Sequence, residues 1–111
     1  MSIKTEAIQK LVAADPQLKF LPTLIELAVR LLSPKSIILF GSRSTAKATR
    51  TSDVDLFFDM ENANPEQWGR FAAEAREDLR TLLDVDLVRS DTASREILAS
   101  VAAEGKVIYE R

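Results

Sequence analysis

The chain has no histidine and no cysteine among its 111 residues. That double absence excludes serine–histidine and cysteine–histidine catalysis within the chain, and zinc sites built on imidazole or thiolate. A metal here would have to be held by oxygen, which selects hard cations such as magnesium, manganese or calcium. Any proton must travel through a carboxylate, lysine, tyrosine or water. No apolar run approaches the ~20 residues that a bilayer span requires, and Met1 to Glu6 lack the charged-then-apolar layout of a secretory signal. A cytoplasmic protein with no membrane contact is therefore expected. With 15 basic and 17 acidic side chains, the formal charge of -2 offers no global attraction to nucleic acid. No extended nucleic-acid-binding surface is expected.

What is present is ordinary for a soluble globular fold, with 46% apolar and 29% charged residues. The length suits one domain over residues 1–111, the first 16 forming a helical extension. Ile8, Leu11 and Val12 recur at helical spacing from Thr5, a candidate cap, to Ala14. Asp15-Pro16 interrupts that pattern. A second helix is predicted up to about Leu32, with Leu24, Ile25, Ala28, Leu31 and Leu32 on one face and Pro22 in its first turn.

Ser36 to Phe40 is a short apolar burst bounded by turn signals, which favours a buried strand. Gly41 ends it, Ser42 to Ala48 is predicted as a short helix, and Thr49 to Ser52 as a loop. A second strand is predicted from Asp53 to Met60, alternating Asp53, Asp55, Phe57 and Asp59 against Val54, Leu56 and Phe58. One face should be packed and the other acidic. Asn64-Pro65 reads as a cap and first-turn proline for a helix carrying Trp68, Phe71, Ala72, Ala75, Leu79, Leu82 and Leu83, whose helical spacing marks the aromatics as packing. Asp84 to Val88 suits a third strand. Asp91 is the candidate cap of a last helix to about Glu104, with Ile97, Leu98 and Val101 buried and Gly105 as its stop. Val107 to Tyr109 suits an edge strand, with Tyr109 covering the sheet margin. The fold class is thus α/β or α+β, a small mixed sheet packed with helices.

The chemistry concentrates between Phe40 and Asp59, with one residue added from farther on. Residues two apart on a strand share a face and lie about 6.6 Å apart. Asp53 and Asp55 can thus converge, and two adjacent carboxylates repel unless a cation joins them. Asp86, on another strand with the same alternation, is the natural third ligand, and three carboxylates can hold two magnesium ions about 3.5–4 Å apart. Acidic residues on a strand face more often serve only solubility. What sets these apart is Gly41-Ser42, because glycine lets backbone approach a ligand and amides at a helix start donate to phosphate. Arg43 is the nearest guanidinium able to contact a triphosphate bidentately. Lys47 and Arg50 rank below it, and Asp59 and Asp84 are left without a role.

Gly41-Ser42, ten residues, Asp53-Val54-Asp55 and then Val85-Asp86-Leu87 resemble the signature of the DNA-polymerase-β-type nucleotidyltransferase superfamily, and most closely its minimal single-domain members. The resemblance runs from about Pro22 to the end of the chain. It implies that Gly41 and Ser42 bind nucleotide phosphates and that Asp53 and Asp55 hold metal. Asp86 becomes both metal ligand and candidate base for an attacking hydroxyl. It further implies a magnesium-dependent transfer of AMP from ATP with release of pyrophosphate. As in many small members, the chain would be the antitoxin of a type VII-like pair, adenylating a tyrosine of a HEPN-domain ribonuclease toxin. Ala46 departs from the pattern, since many minimal members have a second glycine there. Two other readings stay open: an antitoxin that neutralises its toxin by covering it, and a transferase acting on a small molecule or RNA end.

Overall fold

The apolar burst of residues 36–40 is a strand in the computed structural model, which describes residues 2–45, 52–61, 64–78 and 84–111. Around that strand, β2 (Ser36–Phe40), stand β1 (Ser2–Ile3), β3 (Val54–Asp59), β4 (Val85–Arg89) and β5 (Lys106–Glu110). They form a five-stranded sheet in the order β1-β5-β2-β3-β4. β3 and β4 are parallel and every other pair is antiparallel, so the sheet is mixed. α1 (Thr5–Ala14), α2 (Leu21–Leu32), α3 (Pro65–Asp78) and α4 (Arg95–Glu104) surround it. No helix among the described residues is long and apolar enough to cross a membrane.

The alternation of β3 sorts the two faces as expected. Ile37, Leu39, Val54, Leu56 and Phe58 are all fully buried and join the residues of α2 and α3 in one core. There Phe58 meets Trp68 and Phe71 edge to face, with centroids 5.4 and 5.3 Å apart, and the Trp68 and Phe71 rings lie tilted at 5.6 Å. Arg89 lies 5.7 Å from the Trp68 ring. The aromatic stripe of α3 is therefore packing, held in place by the Asn64 cap, whose Oδ1 accepts from the Glu66 and Gln67 amides. Leu79, Leu82 and Leu83 lie outside the described residues.

Several boundaries differ from expectation. α1 starts after Lys4, with no side-chain cap among the described residues, so Thr5 is its first residue rather than its cap. A 3₁₀ helix, Pro16–Phe20, intervenes before α2; Asp15 caps it by accepting from the Gln17 amide. Beyond Gly41 the described residues form tight turns, Ser44 N–H to Gly41 O and Thr45 N–H to Ser42 O, where a short helix is predicted. The rest of that predicted helix and most of the loop after it lie outside the described residues. β5 is not an edge strand: the two residues of β1 pair with it, and Tyr109 is buried at 2% exposure. Ser94, not Asp91, caps α4, because its Oγ reaches the Ile97 amide.

The largest correction concerns α4. Among its described residues none is fully buried, and Leu98 is 44% exposed. The helix packs on β2, and Gly105 at its end sits against the Ile38 side chain, on the sheet face that carries Asp55 rather than the Ile37–Leu39 face of the core. That face is not purely acidic, since Phe40 and Phe57 are buried on it. Leu98→Gln is therefore expected to change unfolding free energy by less than about 0.5 kcal/mol. A shift of the urea midpoint equivalent to more than about 1.5 kcal/mol would return Leu98 to the core.

Candidate active site

Strand register, rather than sequence spacing, assembles the carboxylates. Phe40 pairs with Asp55 across β2 and β3, and Asp55 pairs with Asp86 across β3 and β4. Directly paired residues point to the same face, so Asp55 stands between the end of β2 and Asp86. Asp53, just before β3, and Asp86 are exposed, whereas Asp55 is only partly so.

This crowding is visible in the pKa of Asp55, raised from 3.8 to about 6. Burial contributes most, followed by the charge of Asp86, a hydrogen bond to Asp86 and the charge of Asp53. All three predicted acids thus interact at one place. Among the described residues, however, no group of three or more acidic side chains is gathered closely enough to form a ready ion cage. The two observations measure different things. Register and mutual electrostatics establish proximity, while a cage requires side chains already turned toward one point. The chemistry of the set fits a hard divalent cation, because the donors are all oxygen and their repulsion is the kind that a cation relieves.

Gly41 follows β2 directly and takes φ of +76°, a left-handed conformation. Its carbonyl accepts both the amide and the hydroxyl of Ser44, at 3.1 and 2.7 Å, which folds the chain back at once. A Cβ at this position would run into the carboxylate of Asp55. The turn predicted to cradle phosphate and the central acid predicted to hold metal are therefore in contact. Ser42 lies partly exposed in the same turn.

Arg43 sits differently from its expected place at the triphosphate. Its side chain is 2% exposed, and its Nη1 donates to Asp15 at 2.6 Å and to Gln17 Oε1 at 3.1 Å. Its Nη2 and Nε both donate to the Ser52 carbonyl, at 2.8 and 3.2 Å. Asp15 and Gln17 were not singled out as functional by sequence reasoning; the only signal there was a turn. Ala46, Lys47 and Arg50 fall outside the described residues. Asp84 contributes its backbone carbonyl to the Val54 amide, and the Asp59 carbonyl accepts from the Lys35 amide.

A family model described as "Polymerase beta, Nucleotidyltransferase" matches residues 23–111. No curated protein shows significant similarity to the chain. Among solved structures, a chain of a toxin-antitoxin with AMP-PNP is 27% identical with a TM-score of 0.65, over 79% of this chain and 71% of that one. A chain of the toxin-antitoxin MntA-HepT is 26% identical with a TM-score of 0.57, over 81% and 69%. A structure of tri-AMPylated Shewanella oneidensis HEPN toxin in complex with MNT antitoxin matches at 24% identity and a TM-score of 0.64, over 86% and 73%, which speaks to the fold alone.

Proposed function

Given that the chain belongs to the polymerase beta nucleotidyltransferase family, matched over residues 23–111, we propose that it is an adenylyltransferase antitoxin that moves AMP from ATP to a tyrosine of a HEPN-domain toxin. The observation that carries this reading is the register Phe40–Asp55–Asp86, which sets the Gly41 turn against the acidic pair. AMP-PNP in a similar structure supports ATP as the donor. The toxin-antitoxin nature of that structure and of MntA-HepT supports a toxin as the acceptor.

In this reading the backbone at Gly41 and the Ser42 hydroxyl bind the triphosphate. Asp53, Asp55 and Asp86 would hold magnesium, which when bound neutralises charge on the phosphates and favours attack at phosphorus. The tyrosine oxygen forms a bond to the α-phosphorus, the bond from that phosphorus to the β-phosphate oxygen breaks, and pyrophosphate leaves. The hydroxyl proton passes to Asp86, whose exposure on β4 leaves it open to an incoming side chain.

The test is incubation of the chain and its partner toxin with α-labelled ATP and magnesium. Label is expected on a toxin tyrosine, with loss of toxin activity, and Asp53→Asn/Asp55→Asn is expected to abolish both. Inhibition that survives this double substitution without any label would establish neutralisation by occlusion instead. Label on RNA ends or on small hydroxyl compounds, and none on the toxin, would reassign the acceptor.

A further inference from the structure

The Arg43 guanidinium ties together three parts of the chain that are far apart in sequence. It is nearly sealed from solvent, and it is held from two directions, by Asp15 and Gln17 at the start of the 3₁₀ helix and by the backbone carbonyl of Ser52. Arg43 itself belongs to the turn that follows Gly41, and Ser52 immediately precedes Asp53. One side chain therefore links the candidate phosphate turn to the backbone that carries the first acid. Asp15 in turn is anchored, because its other carboxylate oxygen caps the 3₁₀ helix at the Gln17 amide, 3.3 Å away. Both Asp15 and Gln17 lie outside residues 23–111, the part that matches the family model.

We propose that Arg43 is a positioning residue, and that through it the N-terminal segment sets the spacing between the phosphate turn and the metal-binding carboxylates. The proposal deepens the nucleotidyltransferase reading and rests on it. Geometry rather than charge carries the argument. A lysine could meet Asp15, but its single ammonium cannot hold Asp15, Gln17 and the doubly bonded Ser52 carbonyl at once, whereas the planar guanidinium does so with a fixed fork. Removing either partner of such a buried pair leaves an uncompensated charge, so the local arrangement depends on both. The Asp53 backbone is held from one side by the bonds at Ser52 and from the other by the Val54 amide, which donates to Asp84 O at 2.9 Å. Releasing Arg43 weakens the first of these supports.

The experiment compares the wild-type chain with Arg43→Lys, Asp15→Asn and Asp15→Glu. Manganese is titrated alone by electron paramagnetic resonance, and transfer is assayed at varied ATP. Arg43→Lys and Asp15→Asn are expected to weaken manganese binding at least tenfold and to lower kcat at least tenfold. KM for ATP should stay within threefold; the melting temperature should fall, because Asp15→Asn leaves a buried guanidinium without the Asp15 counter-charge, so titrations and assays are run well below each variant's melting temperature. Asp15→Glu should restore most of both losses. Unchanged manganese affinity in Arg43→Lys and Asp15→Asn would overturn the proposal and reduce the cluster to packing. A large rise in KM with kcat preserved would also overturn it, placing Arg43 on the triphosphate. Should the wild-type chain transfer nothing to the toxin, the manganese titration alone still decides the matter, so the two readings fail separately.

Discussion

Asp55→Asn is expected to make the metal-free protein more stable at neutral pH while it eliminates nucleotidyl transfer. A carboxyl raised from 3.8 to about 6 carries at most about 3 kcal/mol of unfavourable folding energy once ionised. Partial exposure trims this to about 1–2 kcal/mol. Because the folded state holds the proton more tightly than the unfolded chain, wild-type stability is greatest below about pH 4 with respect to this group and falls as pH rises through about 6. Asparagine removes that decline, and its amide can donate to Asp86 as the protonated Asp55 carboxyl does. Thermal melts in EDTA should thus show the variant about 5 °C or more above wild type at pH 7.5. The gap should shrink toward pH 4.5. Magnesium should raise the melting temperature of wild type more than that of the variant, and transfer should drop by about 10³-fold or more. A variant less stable than wild type in EDTA at pH 7.5 would mean that the acids do not repel one another. The site is a place where the fold accepts instability in exchange for chemistry.

The same pair of residues marks the boundary of what sequence can reveal here. Gly41, Ser42, Asp53 and Asp55 lie within one short stretch, and their identities and spacing state a chemistry before any fold is known. That Asp55 faces Asp86 directly is a matter of register between strands 31 positions apart, which depends on how β3-α3-β4 closes. Alternation assigned each acid to the correct face, since period two survives any register. The partner of Arg43 was out of reach for a different reason. An arginine after a glycine turn reads as a surface charge or a ligand contact, and nothing local announces an aspartate 28 residues earlier that will bury it. The last helix misled through its composition. Ile97, Leu98 and Val101 have core-like spacing, but a helix laid across the less covered sheet face leaves much of its apolar stripe at the surface. Likewise, a two-residue strand such as β1 has too few residues to carry a pattern, yet pairing with it moves β5 from the edge to the interior.

Gly41→Ala is expected to be nearly as damaging to transfer as loss of an acid, although it removes no functional group. Two effects combine. An L-residue held at φ of +76° costs about 1–2 kcal/mol, and the added methyl would occupy the space now filled by the Asp55 carboxylate. Either the turn or the acid must move. Displacement of about 1 Å at a reacting centre lowers rates by about 10²-fold, and stability should fall by about 1–3 kcal/mol. The two effects can be separated by a double-mutant cycle with Asp55→Ala, in urea unfolding without metal. If the methyl collides with the carboxylate, shortening Asp55 makes room, and the double variant should be about 1 kcal/mol or more stabler than the sum of the singles predicts. The left-handed strain remains in both backgrounds and cancels in the cycle. Strict additivity would show that the glycine serves the turn alone. Coupling would show that the close approach of Gly41 to Asp55 is what seats a phosphate-binding turn against a metal-binding carboxylate, so that a triphosphate on one is already within reach of the other.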